Sequence, residues 1–459
     1  MRNRLTTSLV LWPFFLVACG GSVDPQPTPG GTTHPGDGKP PVSVDLTQVP
    51  ASSYDATKDG FVVHEWGTLT SVSGSDGAIV TGLHHEEEDL PAVVADRMAQ
   101  AKVDPSVTVK PSNEKMETPV TYFYSATPRT VSAKVGFPNG IFTQWFPYVH
   151  AMSPSVFAMD DGSLVDRFTQ DPATVPAKCQ PYFEADYKNG LLDWARVDVL
   201  PRDQSVSLPS GIEKTTWGFA RNTTANPVKI AGQFEKFLFY RGLGNFELPL
   251  TVSFDGDKAV FHNADPAKAM KGLFLMNVTD TAASFAELGD APAGGQVSGE
   301  VPAATLTHDA FVKSLKTKLA ARLVGDGLYT DEAIAMVDTW EHSYFLTPGV
   351  RVLYLLPQSH TDRIIPLTID PPPDVLARTM VIRVEIMTPS YEKQLGSWLH
   401  DLSVGTEGAK ARFLGLGRFA EPHLGRAVAL TTNAAEKKAG NLLLTEVRGQ
   451  RKWAPAAAE

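Results

Sequence analysis

Cysteine, basic runs and long apolar stretches are all scarce in this chain, and each shortage removes a class of protein. Its 459 residues include two cysteines, too few and too far apart for a disulfide framework or a Cys-x-x-Cys metal or redox site. Lysine and arginine number 41 against 51 aspartates and glutamates, a formal net charge of −10. An acidic chain without a basic run is unsuited to nucleic acid. The apolar segment from Ser8 to Ala18 is roughly half the ~20 residues that a membrane-spanning helix requires. No Walker loop, HExxH helix, GxSxG elbow or EF-hand loop occurs, so no motif requires a cofactor. What remains, 42% hydrophobic and 20% charged, suits a globular body with one large core or two ordinary ones.

The N-terminus has Arg2 and Arg4, then the short apolar segment, then Leu16-Val17-Ala18-Cys19. A charged start, an apolar stretch too short to stay in the bilayer and a small residue before a cut make an export signal. Leu16 to Cys19 resembles a lipobox, which implies a signal peptide over 1–18, cleavage before Cys19 and acylation of that cysteine. Two or more acyl chains attach a protein stably where one does not. In such lipoproteins an Asp after the cysteine favours retention at the inner membrane. Here the position is Gly20, so the resemblance implies the outer membrane of a bacterial envelope. With Cys19 lipidated, Cys179 has no intramolecular partner. Gly20 to Pro41 holds six glycines and six prolines in 22 residues, a composition that predicts a disordered tether over about 19–57.

Order is expected from Gly60. Phe61 to Val72 carries the β-branched and aromatic residues of a strand, with a turn at Ser73 to Gly77. The runs Val120 to Ser125, Val131 to Phe137, Trp194 to Val199, Lys236 to Tyr240, Phe246 to Phe254, Ala259 to His262 and Leu273 to Val278 also read as strands, and Asp255-Gly256 as a tight hairpin turn. Many short strands with turn punctuation imply an antiparallel, sandwich-like β-rich part over 58–302. After Pro302 the pattern becomes helical. Phe311, Leu315, Leu319 and Leu323 recur at four-residue spacing, and a second helix follows Thr330. Val350 to Leu356 and Thr379 to Met387 return to strand, the latter alternating between apolar and charged faces. Helical text resumes after Thr388-Pro389. The fold class expected is α+β, with 303–455 a helix-rich mixed part packed on the β-rich one.

His64-Glu65-Trp66-Gly67-Thr68, Lys115 to Tyr124 and Phe237 to Gly242 resemble the signatures of a family of bacterial secreted proteins and lipoproteins, over about residues 60 to 425. The resemblance implies export and carries no activity. His64 and Glu65 are adjacent, so on a strand they point to opposite faces and cannot share one ion. A core hydrogen bond competes with metal or base chemistry as the reading of His64. His84 and His85, within His84-His85-Glu86-Glu87-Glu88-Asp89, are expected in a solvated loop ahead of a helix at about Pro91 to Ala101, with divalent-cation binding as the alternative. Glu341 and His342 read as surface. Ser359 to Arg363 reads as a polar loop held between strands, which makes His360 and Asp362 candidates. Arg241, after an apolar run, needs an internal carboxylate or an anionic ligand.

Two functions compete. One is a surface-tethered binding or structural module, with the membrane reached through Cys19 and an envelope glycan or protein as partner. The other is an envelope hydrolase, metal-assisted in one version, built from His64, Glu65, Glu117, Arg241, His360 and Asp362. They differ geometrically, because catalytic groups must converge within about 3 to 6 Å of a common cleft. For the anchor, cells expressing the chain are expected to accumulate an unprocessed precursor under globomycin. A mature size that ignores the inhibitor refutes lipidation at Cys19.

Overall fold

The computed structural model describes residues 40–85, 90–97, 111–154, 156–158, 164–166, 180–181, 187–212 and 215–449. Cys19, Cys179, Glu86 to Asp89 and the tail from Trp453 lie outside them. The fold is α+β, β-rich up to Glu300 and helix-rich after it. The main sheet contains β1 (Val62–Ser73), β2 (Glu114–Met116), β3 (Val120–Tyr124), β4 (Gly140–Phe146), β5 (Leu238–Gly244), β6 (Met270–Val278), β7 (Ala283–Ala291), β8 (Gly349–Leu356) and β9 (Val375–Ile386), with Ile79–Val80 and Ala95–Asp96 as short additions. Its order is β7, β6, β8, β9, β1, β2, β5, β4 and Ala95–Asp96, while β3 pairs with both β1 and β5.

The centre of this sheet is a parallel pair. β1 and β9 run in unbroken register from Val62↔Val375 to Ser73↔Ile386. All twelve residues of β1 are buried, as a strand covered on both faces must be. Strands from both sides of residue 302 therefore belong to one sheet. Its remaining pairings are antiparallel, so the sandwich expected from sequence has a mixed sheet as its middle layer.

On one face lies a second sheet containing Gly190–Val199 and Arg129–Phe137. Val63 and Leu69 of β1 meet Ala133, Val135, Leu192 and Trp194 there. The opposite face is covered by α1 (His308–Gly325) and α2 (Thr330–Thr339). Thr307 caps α1 by accepting from the Ala310 N–H, and the four-residue spacing puts Phe311, Leu315, Leu319 and Leu323 on one stripe against Val62 and Trp66. Fully burying each such side chain contributes about 1.5–3 kcal/mol. A short helix, α3 (Gln358–Ile364), links the region of β8 to that of β9. The last helices are α4 (Pro389–Val404), α5 (Ala409–Leu414), α6 (Ala420–Leu430) and α7 (Ala434–Gly449). Through Leu395, Leu399, Phe413, Leu424 and Leu443 they close over Val72 and Met387, where β1 and β9 end.

Several sequence expectations are corrected. Residues 42–54, assigned to the tether, lie on the body because Val49 and Tyr54 are buried in it. The Val42 N–H donates to Glu341 and the Asp45 N–H to Thr317, while Ser52 and Thr330 exchange hydrogen bonds. The charged face of Thr379 to Met387 is not solvated. Arg383 and Glu385 are buried and paired with each other at 2.6 Å, since helices cover that face as well. Ser359 to Arg363 is helix α3, not loop, because its polar side chains find partners on both sides. The described part of the helix expected at Pro91 to Ala101 is a turn followed by the strand Ala95–Asp96. Pairing of Asp96 with Gln144 extends the sheet edge and overrides helical propensity. Glu341 is buried, held by Lys316 at 2.6 Å.

Gly67 marks where the two antiparallel neighbours of β1 change over. A Cβ at this position would stand 2.8 Å from Cα of Pro119 in the β2–β3 connection. Gly67→Ala is therefore expected to cost about 1–3 kcal/mol through overpacking, read as a lowered urea midpoint. The control Gly396→Ala, in α4 with open space around its Cβ position, is expected to stabilise by up to ~1 kcal/mol through helix propensity. Equal midpoints for the two variants would contradict this packing.

Candidate functional site

The His64-Glu65 pair does what adjacent strand residues must and faces opposite ways. On the helical side, His64 Nδ1 lies 2.7 Å from Glu332 Oε2. The same carboxylate accepts from the Tyr124 hydroxyl at 2.8 Å and from the Tyr329 N–H at 2.7 Å. Burial, followed by the Glu332 charge, pushes the Tyr124 hydroxyl well above its ordinary range. On the sandwich side Glu65 accepts from Arg378 Nε at 2.8 Å, from Thr121 at 3.1 Å and from the Tyr240 hydroxyl. Arg378 reaches onward to Asp362 at 2.8 Å. Burial works against its charge, but Glu65, Tyr240 and Asp362 together outweigh it and hold the guanidinium firmly protonated.

The remaining candidates form separate groups. His360 Nε2 lies 2.5 Å from Asp265 Oδ2, and Arg363 donates to its Nδ1. Glu117 pairs with Arg418 of the C-terminal region, and Arg241 Nε donates at 2.6 Å to the Glu117 carbonyl. Asp362 is half exposed; its partner Arg378 and Glu65 are fully buried. Thus Glu65 and Asp362 share Arg378, Glu117 and Arg241 are neighbours, and His64 and His360 each belong elsewhere. The aromatic residues dense in this part of the sequence, Tyr122, Phe123, Tyr124, Trp145, Phe146, Phe237, Phe239 and Tyr240, are buried core, and Tyr148 is partly buried.

His84 and His85 are corrected from solvated loop to buried centre, at 1% and 0% exposure. The Gly82 and Leu83 N–H groups donate to the Ser112 carbonyl, and Lys115 donates to the His85 carbonyl. The segment is not a strand, so consecutive rings can point the same way, and their centroids are 4.1 Å apart. Both face Glu421 of α6. Its Oε2 is 3.5 Å from His84 Nδ1 and 3.2 Å from His85 Nε2, and its Oε1 accepts from Arg448 at 2.8 Å. Gly82 makes this approach possible, because a Cβ there would stand 2.8 Å from Glu421 Cγ and its φ is +122°. Among the described residues, these three are the group whose donor atoms are placed to hold a metal ion, within 4.8 Å of one another.

Sequence reasoning did not find Glu332, Arg378, Glu421 or Arg418. Arg378 had a signal, a cation in a strand of apolar residues. Glu421 had none, because nothing in helical text shows which acidic residue turns inward.

No family model matches the chain, and comparison with curated proteins finds no match. Among solved structures the chain is similar to the yeast delta-COP-I mu-homology domain, at 8% identity and TM-score 0.23, covering 71% of this chain and 95% of that one. The same yeast domain complexed with a Dsl1 WxWxV peptide matches at 7% identity and TM-score 0.22, covering 71% and 96%. Scores this low do not establish a common fold.

One buried acid stands apart from the ion pairs. Glu114 is 3% exposed, and burial pushes its carboxyl well above the carboxylate range. The folded state then keeps a proton that the unfolded chain releases near pH 4.3. This contribution to stability is complete below that pH and is lost as pH rises toward the folded-state value. Glu114→Gln, similar in shape and always neutral, is expected to raise the urea midpoint at pH 7 and leave it unchanged at pH 4. A midpoint lowered equally at both values would show that the carboxyl serves a stabilising pair.

Proposed function

We propose that the chain is an exported lipoprotein of the bacterial envelope, anchored through Cys19, that works as a binding or structural module and not as a hydrolase. The observation that carries this reading is the dispersal of His64, Glu65, Glu117, Arg241, His360 and Asp362. His64 and Glu65 occupy opposite faces of a fully buried strand, each engaged by a different partner. A hydrolytic centre needs these groups around one point that a substrate can reach. Buried ionic pairs hold elements in register instead. The lipobox-like sequence and the glycine- and proline-rich stretch after it support the envelope and the anchor. The partner class is an envelope glycan or protein.

The test uses purified full chain in detergent with isolated cell-wall sacculi and membranes. Saturable co-sedimentation is expected, without release of soluble sugar or peptide fragments. Fragment release that scales with the amount of protein would overturn the non-catalytic reading. Absence of co-sedimentation with every envelope fraction would remove the binding module.

A further inference from the structure

We propose that His84, His85 and Glu421 bind one divalent transition-metal ion, zinc by donor chemistry, and that the ion fastens the C-terminal helices to the central sheet. Two imidazoles and a carboxylate are a standard donor set for zinc, with Zn–N and Zn–O bonds of about 2.0–2.2 Å. Donor atoms at that radius on a tetrahedron are separated by about 3.3 Å. The two distances to Glu421 Oε2, 3.2 Å from His85 and 3.5 Å from His84, bracket that edge.

The surroundings are built to aim these atoms. Arg448 holds Glu421 Oε1 and leaves Oε2 turned toward the rings, the kind of outer support that orients a ligating carboxylate. Lys115 fixes the His85 main chain through its carbonyl. Gly82 provides the only side chain small enough for Glu421 to lie against the loop. All three ligands are buried, at 2% exposure or less, which suits a structural ion.

The location gives the ion its role. His85 and Glu421 are 336 residues apart in sequence. The histidines follow the short strand Ile79–Val80, which pairs with β1. Glu421 opens α6, whose Leu424 lies in the apolar cluster that caps β1 and β9. An ion here joins the first strand of the main sheet to the last helical layer. It binds the folded chain and has no comparable site in the unfolded one, so it adds to stability by linkage.

The experiment is metal analysis of the purified full chain after zinc exposure and exhaustive dialysis. About one zinc per chain is expected to remain, as for a site formed by folding. Cobalt in its place is expected to give the strong visible absorption of a four-coordinate ion. His85→Ala and Glu421→Gln should each weaken zinc binding by more than ~10-fold, the cost of losing even a supporting partner, while His64→Ala and His360→Ala leave the stoichiometry unchanged. Losing a buried ligand also weakens folding, so the unaltered chain provides a second reading. Chelation should lower its Tm by several degrees, and zinc should restore it. Less than ~0.2 zinc per chain with a Tm that ignores both treatments overturns the site. Zinc retained undiminished by both ligand variants overturns it equally.

Discussion

The interaction on which the rest depends is the parallel pairing of β1 with β9, sealed by the buried ion pair of Glu65 and Arg378. The two residues are 313 positions apart yet face each other in register. Parallel neighbours cannot be joined by a tight turn, so everything between them is the crossover. Once paired, they form a ridge covered by the second sheet on one side and by α1 and α2 on the other. Arg378 is fully buried, and removing one partner of such a pair costs about 3–5 kcal/mol because the other charge stays behind without water. A slip of either strand by one residue would turn its charge to the opposite face, away from its partner. The pair therefore specifies register, whatever its net worth to stability.

The same logic recurs along the strand. His64 goes to Glu332, Thr68 and Thr70 to the Tyr344 hydroxyl, and Arg383 to Glu385. Glu385 shows the balance of forces. Burial opposes its charge, but the Arg351 and Arg383 guanidiniums hold the carboxyl below its ordinary value. The sheet interior is thus a set of short, directional polar contacts between apolar layers. Each one identifies a particular neighbour, which hydrophobic burial alone does not do.

Much of the fold was legible because periodicity reports burial. The stripe of Phe311, Leu315, Leu319 and Leu323 and the run Val350 to Leu356 correspond closely to α1 and β8. Polar residues were read less well, since sequence patterns price them as solvent-facing. Arg383 and Glu385 alternate with apolar residues as a surface strand would, yet a further layer covers that face. His84 and His85 look like part of an acidic surface loop and are buried by α6, more than 300 positions later. Adjacency was informative where the backbone was regular, at His64 and Glu65. It misled where the backbone left the strand, because only there can neighbouring side chains converge.

The segment over residues 42–54 is fixed to the body at separated points, from Val42 on Glu341 through Asp45 on Thr317 to Ser52 on Thr330. A tension applied to the chain ahead of Val42 is borne by these bonds one at a time, starting at Glu341, whose carboxylate also holds Lys316. The attachment therefore peels before it shears. The helical layer meets such a pull before β1 does, since Glu341, Thr317 and Thr330 all belong to it.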